Sequence, residues 1–397
     1  MIFANKKINF GIAVLGAIVL LIVLLWPESD NFLPYTSTLE STALTLKGKG
    51  FISDLAQDII GFRAMVRRED AYPILGSAAQ ELGLDWDVRH VSTHPPTGFL
   101  FVAPVAFLPW NLAAMLWAWL MLGLLVSAFR IYGMPWSVAL GPTPIALLWP
   151  PVATSLGQFT IIWLLGFAIG HRYMRYNCFL SGVGIGLAAL TKIVPGVMII
   201  LFLSRKGWHA ILGIALVVIV SLVIVVLLSP NSIYQYVEAN RLNSIAMTLR
   251  DDNASLLGTG YRLGGWLGET LVLIFIALVF WTNRRYVFGK TDQFPPTKLW
   301  MLLTYFTVVL LPVSWIYSLV PLLPVIIFLL AKRKMSTTFV GLCCIIIPLF
   351  VPVWGPYSVF PLVLVNVLIG VGLIFDALPF RLFTARSLET MFAGSTR

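Results

Sequence analysis

The chain has 397 residues, of which 59% are hydrophobic and 11% charged, and its mean hydropathy is +0.90. A typical soluble domain carries about 25% charged residues, so a single aqueous core is excluded, and the long apolar runs call for an all-α polytopic membrane protein. The net charge of +10 is scattered over the ends of those runs rather than gathered in a patch, which argues for membrane lipids and against nucleic acid as the partner.

In chain order, the first apolar run, Phe10 to Trp26, follows Lys6-Lys7. It lacks a small-residue cleavage site, so we read it as a retained helix rather than a signal peptide. About twelve apolar segments are expected to cross or enter the bilayer, near 8–26, 112–130, 136–151, 156–171, 178–190, 194–204, 208–229, 266–282, 299–314, 316–331, 337–352 and 357–376. The short pair 178–190 and 194–204 flanks Lys192 and Pro195 and reads as a broken hairpin, an interruption tolerated where it lines a polar cavity. Two polar loops, 27–98 and 230–265, complete a single integral-membrane domain over 1–397. Cys178, Cys343 and Cys344 show neither metal-ligand spacing nor a disulfide framework.

Charge sets the expected topology. With the N-terminus cytoplasmic, 17 of the 27 basic residues fall inside, among them Lys6, Lys7, Arg172, Lys298 and Lys332, accompanied only by Asp292, Asp376 and Glu389. Both termini are then cytoplasmic, and the two polar loops lie outside. The 27–98 loop holds ten of the 17 carboxylates, between Glu28 and Asp87. An acid-rich surface beside lipid suggests chemistry on a membrane-borne substrate rather than a simple pore.

Within that loop, Phe51 to Arg68 has helical periodicity. Ile52, Leu55, Ile59, Phe62 and Val66 share one face, while Asp54, Gln57, Asp58, Gly61 and Arg68 share the other. Asp54 and Asp58 are i, i+4 neighbours whose like charges favour holding one proton. This face is either a general base beside the lipid or the solvated side of an interfacial helix. Arg63, Arg67 and Arg68 offer forked donors for a phosphate, or partners for lipid headgroups, Glu69 and Asp70. The loop ends in Thr93-His94-Pro95-Pro96, where His94 either hydrogen-bonds a substrate or fixes the turn.

Farther along, Lys192 lies in an apolar stretch where a charge marks either a functional site or a side chain reaching for the interface. Gln158 is either a site residue or a helix cap. In the second loop, Arg250 and Arg262 are candidate phosphate contacts, and adjacent Asp251 and Asp252 lack a third ligand at fixed spacing. No Walker loop, Rossmann fingerprint, HExxH or GxSxG is present, so a transferred group is expected to arrive on a lipid.

The order of these features resembles the GT-C superfamily of integral-membrane glycosyltransferases, and specifically glycosyltransferase family 87. The residues that carry the resemblance are Asp54, Asp70-Ala71-Tyr72, His94-Pro95-Pro96, Pro104, Leu108-Pro109, Ala113 and Leu116-Trp117. Gly157-Gln158, the glycine-rich stretch Gly182 to Pro195 with Lys192, Asn253 to Leu256, Arg262 and Pro312-Val313-Ser314-Trp315 continue it. The chain departs from the family after Ser314-Trp315, where members often carry a histidine and this sequence has Ile316-Tyr317-Ser318.

The resemblance implies a GT-C-like bundle of about 11–12 transmembrane helices with amphipathic helices in its first extracytoplasmic loop, set in a bacterial plasma membrane. It implies an inverting transfer of mannose or a related sugar from a polyprenyl-phosphate donor to a lipid-linked or glycan acceptor. Asp54 is the expected general base and Asp58 its alternate. Arg63, Arg67, Arg68, His94, Gln158, Lys192, Arg250, Asn253, Arg262 and Tyr317 are the expected substrate contacts. The reading requires no metal or other cofactor and leaves room for a divalent cation. The competing classes are a carrier or flippase of lipid-linked sugars and a polysaccharide polymerase or ligase with a lipid-diphosphate donor.

Overall fold

The computed structural model describes residues 6–25, 38–49, 53–85, 91–134, 136–140, 143, 146–174, 177–204, 207–249, 253, 255–288, 296–311, 316–331, 335–350 and 359–377. No strand occurs among them, and the protein is an all-α polytopic membrane protein. Its helices are α1 (Lys6–Leu25), α2 (Thr38–Leu46), α3 (Ser53–Arg67), α4 (Leu75–Ala79), α5 (Pro96–Phe99), α6 (Trp110–Ile131), α7 (Trp136–Leu140), α8 (Pro150–Ser155) and α9 (Thr160–Tyr173). There follow α10 (Cys178–Thr191), α11 (Ile199–Ser204), α12 (Trp208–Leu228), α13 (Ser232–Leu249), α14 (Leu256–Phe288), α15 (Pro296–Val309), α16 (Leu323–Ala331), α17 (Met335–Ile346) and α18 (Val359–Ala377).

Among the described residues, α6, α12 and most of α14 are each long and apolar enough to cross a bilayer. Shorter apolar helices, such as α10 and the end of α1, complete the apolar body. The core is one continuous cluster in which Phe99, Trp117, Trp163, Phe167, Trp300 and Tyr305 are fully buried. By contrast, α12 turns Leu212, Leu216, Ile219, Val223 and Leu227 outward. An apolar exterior of this kind is stable against hydrocarbon and not against water.

Small residues bring the central helices together. α10 packs against both α9 and α12, and a Cβ on Gly184 of α10 would meet the Gly166 carbonyl oxygen of α9 at 2.5 Å. Close backbone approach of this type replaces the hydrophobic drive that hydrocarbon surroundings remove. α14 is two helices joined at a kink, where Gly265 has φ of 54°, a left-handed conformation open to glycine.

Where they fall on described residues the expected segments are mainly helical, with 194–204 and 316–331 opening as 3-10 helices, and residues such as 312–314, 351, 352, 357 and 358 lie outside the described residues. The stretch 136–151 is not one helix: α7 is short, and α8 starts at Pro150 with proline in its first turn. Residues 147–149 form a turn and bend ahead of Pro150 and Pro151, and proline lacks the amide proton that a continuous helix needs. The polar stretch 230–265 contains the helix α13, and the kink at Gly264–Gly265 divides it from the apolar half of α14.

Candidate functional site: a buried acid–histidine pair beside a lysine

The site starts with α3, whose register places Asp54 one turn before Asp58. Leu55, Ile59 and Phe62 are buried as expected, whereas Val66 is exposed. Ile52 lies outside the described residues. The opposite face is not solvated: Gln57 and Asp58 are buried, and Gly61 lies against the ring of Phe99. This overturns the reading of α3 as an interfacial helix with a wet face. The cover is the chain around His94, which α3's own periodicity does not reveal.

His94 is held from several sides. Its Nδ1–H donates to Asp58 Oδ1 at 2.7 Å, its amide donates to Ser92 Oγ at 3.2 Å, and its carbonyl accepts from the Tyr72 hydroxyl at 2.8 Å. Pro95 follows in an extended conformation, and Pro96 opens α5, so the backbone here has little freedom. The His94 ring lies against Phe159, with centroids 5.2 Å apart. Thr97 then donates to the carbonyl of Leu190 at 3.1 Å, tying this turn to the end of α10 just before Lys192.

Both members of the pair are fully enclosed, and that sets their protonation. Burial pushes Asp58 up to about 6, against the pull of the His94 charge and hydrogen bond, with Asp54 adding like-charge repulsion. Burial works to lower His94, but the charge and hydrogen bond of Asp58, reinforced by Asp54, carry it above its usual value, while Lys192 opposes them. Asp58 Oδ2 is buried with no hydrogen-bond partner among the described residues. Asp54 is only half-buried, and its charge acts on Asp58, His94 and Lys192 alike. Lys192, half-buried beyond α10, holds its ammonium 5.4 Å from the centroid of the buried Tyr317 ring.

Asp54, Asp58, His94, Lys192 and Tyr317 therefore form one constellation drawn from four separated parts of the chain. Gln158 is buried next to Phe159, whose ring touches His94. Asn253 and Arg262 form a second group: the Arg262 guanidinium donates to the Asn253 carbonyl and, at 3.0 Å, to Thr259 Oγ1. Asn253 Oδ1 accepts from the amide of Ser255 at 3.0 Å. Arg63 is turned to the backbone, with Nε donating to the Ala106 carbonyl at 2.6 Å. Arg67 pairs with Glu81 at 2.8 Å in an exposed position. Arg68 is exposed and closes α3 with φ of 61°, where the Glu69 amide donates back to the Ala64 carbonyl. Arg250 and the element Pro312 to Trp315 lie outside the described residues.

Three supports escaped the periodicity. Tyr72 belongs to the Asp70-Ala71-Tyr72 step, and its phenol is a brace for His94; burial raises its pKa, so the hydroxyl stays a donor. Gln235 of α13 accepts from the Ala71 amide at 3.1 Å, and Asn243 donates to the Val91 carbonyl at 3.3 Å. Through these contacts the second polar loop lies on the first. Single polar residues in mid-helix carry no sequence signal that would have singled them out.

A family model described as glycosyltransferase family 87 matches residues 93–312, a stretch that includes His94, Gln158, Lys192, Asn253 and Arg262. The chain is 29% identical over 243 residues to the polyprenol-phosphate-mannose-dependent alpha-(1-2)-phosphatidylinositol mannoside mannosyltransferase of Mycolicibacterium smegmatis, covering 57% of this chain and 54% of that relative. It is 25% identical over 262 residues to the corresponding pentamannoside mannosyltransferase of the same organism, covering 60% of each. The chain thus spans little more than half the length of these curated relatives. No solved structure matches it.

Proposed function

The chain belongs to glycosyltransferase family 87, and on that premise we propose that it transfers a sugar from a polyprenyl-phosphate donor to a lipid-linked or glycan acceptor at the extracytoplasmic membrane face. The observation that carries this reading is the convergence of a half-buried acid, Asp54, with a closed Asp58–His94 pair and the cation of Lys192. Both named relatives use polyprenol-phosphate mannose and a phosphatidylinositol mannoside acceptor, so mannose is the first sugar to test.

The chemistry divides between the two acids by exposure. Asp54 takes the proton of the acceptor hydroxyl as its oxygen attacks the sugar C1. The bond from C1 to the phosphate oxygen breaks, its electron pair stays on the phosphate, and the anomeric centre inverts. Charge develops on the phosphate, where Lys192 and protonated His94 stabilise it. Asp58 is closed from the surface and holds His94 charged and oriented. Two cations suffice for the leaving group, so turnover should survive chelation with EDTA. The charge distribution along the chain supports both termini cytoplasmic and this cluster outside, and the two bacterial relatives support a bacterial plasma membrane setting.

The test is transfer by purified protein in nanodiscs from radiolabelled polyprenyl-phosphate mannose to a membrane lipid extract. A labelled glycolipid made by the wild type, absent with Asp54→Asn and retained in part with Asp58→Asn, is the expected result. No product from any lipid-monophosphate sugar, with movement of lipid-linked sugar across proteoliposomes instead, would replace the transferase by a carrier. Transfer from lipid-diphosphate donors alone would point to a polymerase or ligase.

A further inference from the structure

We propose that an apolar cleft between α6, α9 and α10 seats the isoprenoid chain of the donor, with the phosphate end directed toward Lys192. This rests on the polyprenyl-phosphate reading and assigns a place to the part of the donor that does not react. The cleft has a volume of about 220 Å³. Its floor is Trp117, Met121 and Ile162, all buried, and its rim includes Phe101, Leu120 and Leu187. The lining residues are apolar side chains and a glycine, with the enclosed Nε1–H of Trp117 the one side-chain polar group among them, so a polar ligand would lose most of its hydrogen bonds to water with little in exchange. Hydrocarbon is the chemistry that fits.

Position then selects which hydrocarbon. The cleft adjoins the catalytic constellation through a single ring: Phe159 lies 5.8 Å from Phe101 and 6.0 Å from Trp117, and 5.2 Å from His94 on its other side. On α10, Leu187 at the rim precedes Lys192 by five residues, about 7.5 Å of helix rise. A cation thus stands at one end of an apolar slot, an arrangement complementary to an anionic head on a greasy chain. Leu116 and Leu120 of α6 are exposed on an apolar helix exterior, so the slot opens sideways to where a membrane-dissolved chain resides. An anionic phospholipid offers the same pairing of head and tail, and the experiment separates the two sources.

The full-length protein in nanodiscs is photolysed with a polyprenyl phosphate carrying a diazirine in its third isoprene unit. The expected cross-links fall on the segments containing Leu120 and Leu187. Excess unlabelled polyprenyl phosphate should suppress them, and phosphatidylglycerol should not. Cross-links elsewhere, or equal suppression by phosphatidylglycerol, would overturn the assignment. In parallel, Leu120→Trp narrows the mouth of the slot at a position already part-exposed. It should raise KM for a long-chain polyprenyl-phosphate mannose about tenfold, equivalent to about 1.4 kcal/mol, and leave KM for a single-isoprene donor unchanged. An unchanged ratio of the two KM values would also overturn it. Cross-linking needs no turnover, so a wild type that labels the cleft but moves no sugar would sink the transferase reading and leave the lipid-phosphate site standing.

Discussion

Two buried ion pairs sit in different parts of the molecule and differ in what surrounds them. Lys298 of α15 meets Asp376 of α18 at 2.5 Å, with the Tyr286 ring of α14 4.1 Å from the ammonium. Beside it Arg285 donates to the Ala377 carbonyl at 2.7 Å, so the group ties three helix ends together. Asp58 and His94 are as close, at 2.7 Å, and as deeply buried. Their neighbours, however, are the further charges of Asp54 and Lys192. A pair packed among helix ends is a fastening. A pair flanked by a half-buried acid and a second cation is poised to act on something that enters.

The largest expected effect separates Asp54 from both pairs. Asp54→Asn should lower kcat by about 10²–10⁴-fold, the usual contribution of a general base. Melting temperature should stay unchanged, because the variant keeps the size of the side chain and leaves the Asp58–His94 hydrogen bond in place. Loss of less than tenfold in a single-turnover assay would move the base role to Asp58.

Breaking the pairs comes next. Removing one partner of a buried ion pair costs about 3–5 kcal/mol, whereas replacing both by apolar residues of similar volume is often neutral. Lys298→Met should therefore destabilise the protein by that amount in denaturant titrations, and adding Asp376→Leu should restore it, with specific activity intact throughout. The matching double change, Asp58→Leu with His94→Leu, should also recover a folded protein but not its turnover. Equal recovery of activity in both double variants would abolish the distinction between the pairs.

How much of this was legible in the sequence follows from the same comparison. The helix α3 and its buried Leu55, Ile59 and Phe62 followed from periodicity, and the division of the apolar chain into helices followed from hydropathy and proline. What periodicity cannot show is a partner contributed from far along the chain. Asp58 looked like part of a wet face because His94, its cover, lies 36 residues away. Lys298 and Asp376 read as two separate charges at the ends of apolar segments, and only folding brings α15 and α18 together. Arg63 looked equally suited to phosphate, yet it spends its fork on the Ala106 carbonyl, an acceptor that every residue carries and no pattern marks.

A smaller effect tests the charge state of the Asp58–His94 pair. Asp58, held at about 6, takes up a proton as the pH falls through that value, and the ion pair with His94 is then lost. kcat/KM should fall below pH 6 by about tenfold per unit, as for one proton. Unfolding does not mimic this limb. A carboxyl raised from 3.8 to about 6 binds its proton more tightly in the native state, so its stabilising contribution is full below about 3.8 and is lost as pH rises through 6. His94, also raised, has the same sign. Acid therefore stabilises the fold through these two groups while it removes activity. A limb unchanged in Asp58→Asn would show that the proton is not taken up at Asp58.

The smallest effect concerns Tyr317, whose ring faces the Lys192 ammonium, so the ring should matter. A cation–π contact contributes about 0.5–2 kcal/mol, and Tyr317→Leu should accordingly lower kcat/KM by about 2- to 30-fold. Tyr317→Phe keeps the ring and should remain within twofold of wild type, on the order of the lower end of that range. If the hydroxyl instead donates to the donor phosphate, Phe and Leu should fall equally. A histidine at 317 would place a third titratable cation beside Lys192 and His94, and like-charge repulsion would lower the affinity of that cluster for protons. Tyr317→His should therefore gain activity on the acid side only if the phosphate is the group being neutralised. The size of that gain measures how much of the leaving-group charge Lys192 and His94 leave unbalanced.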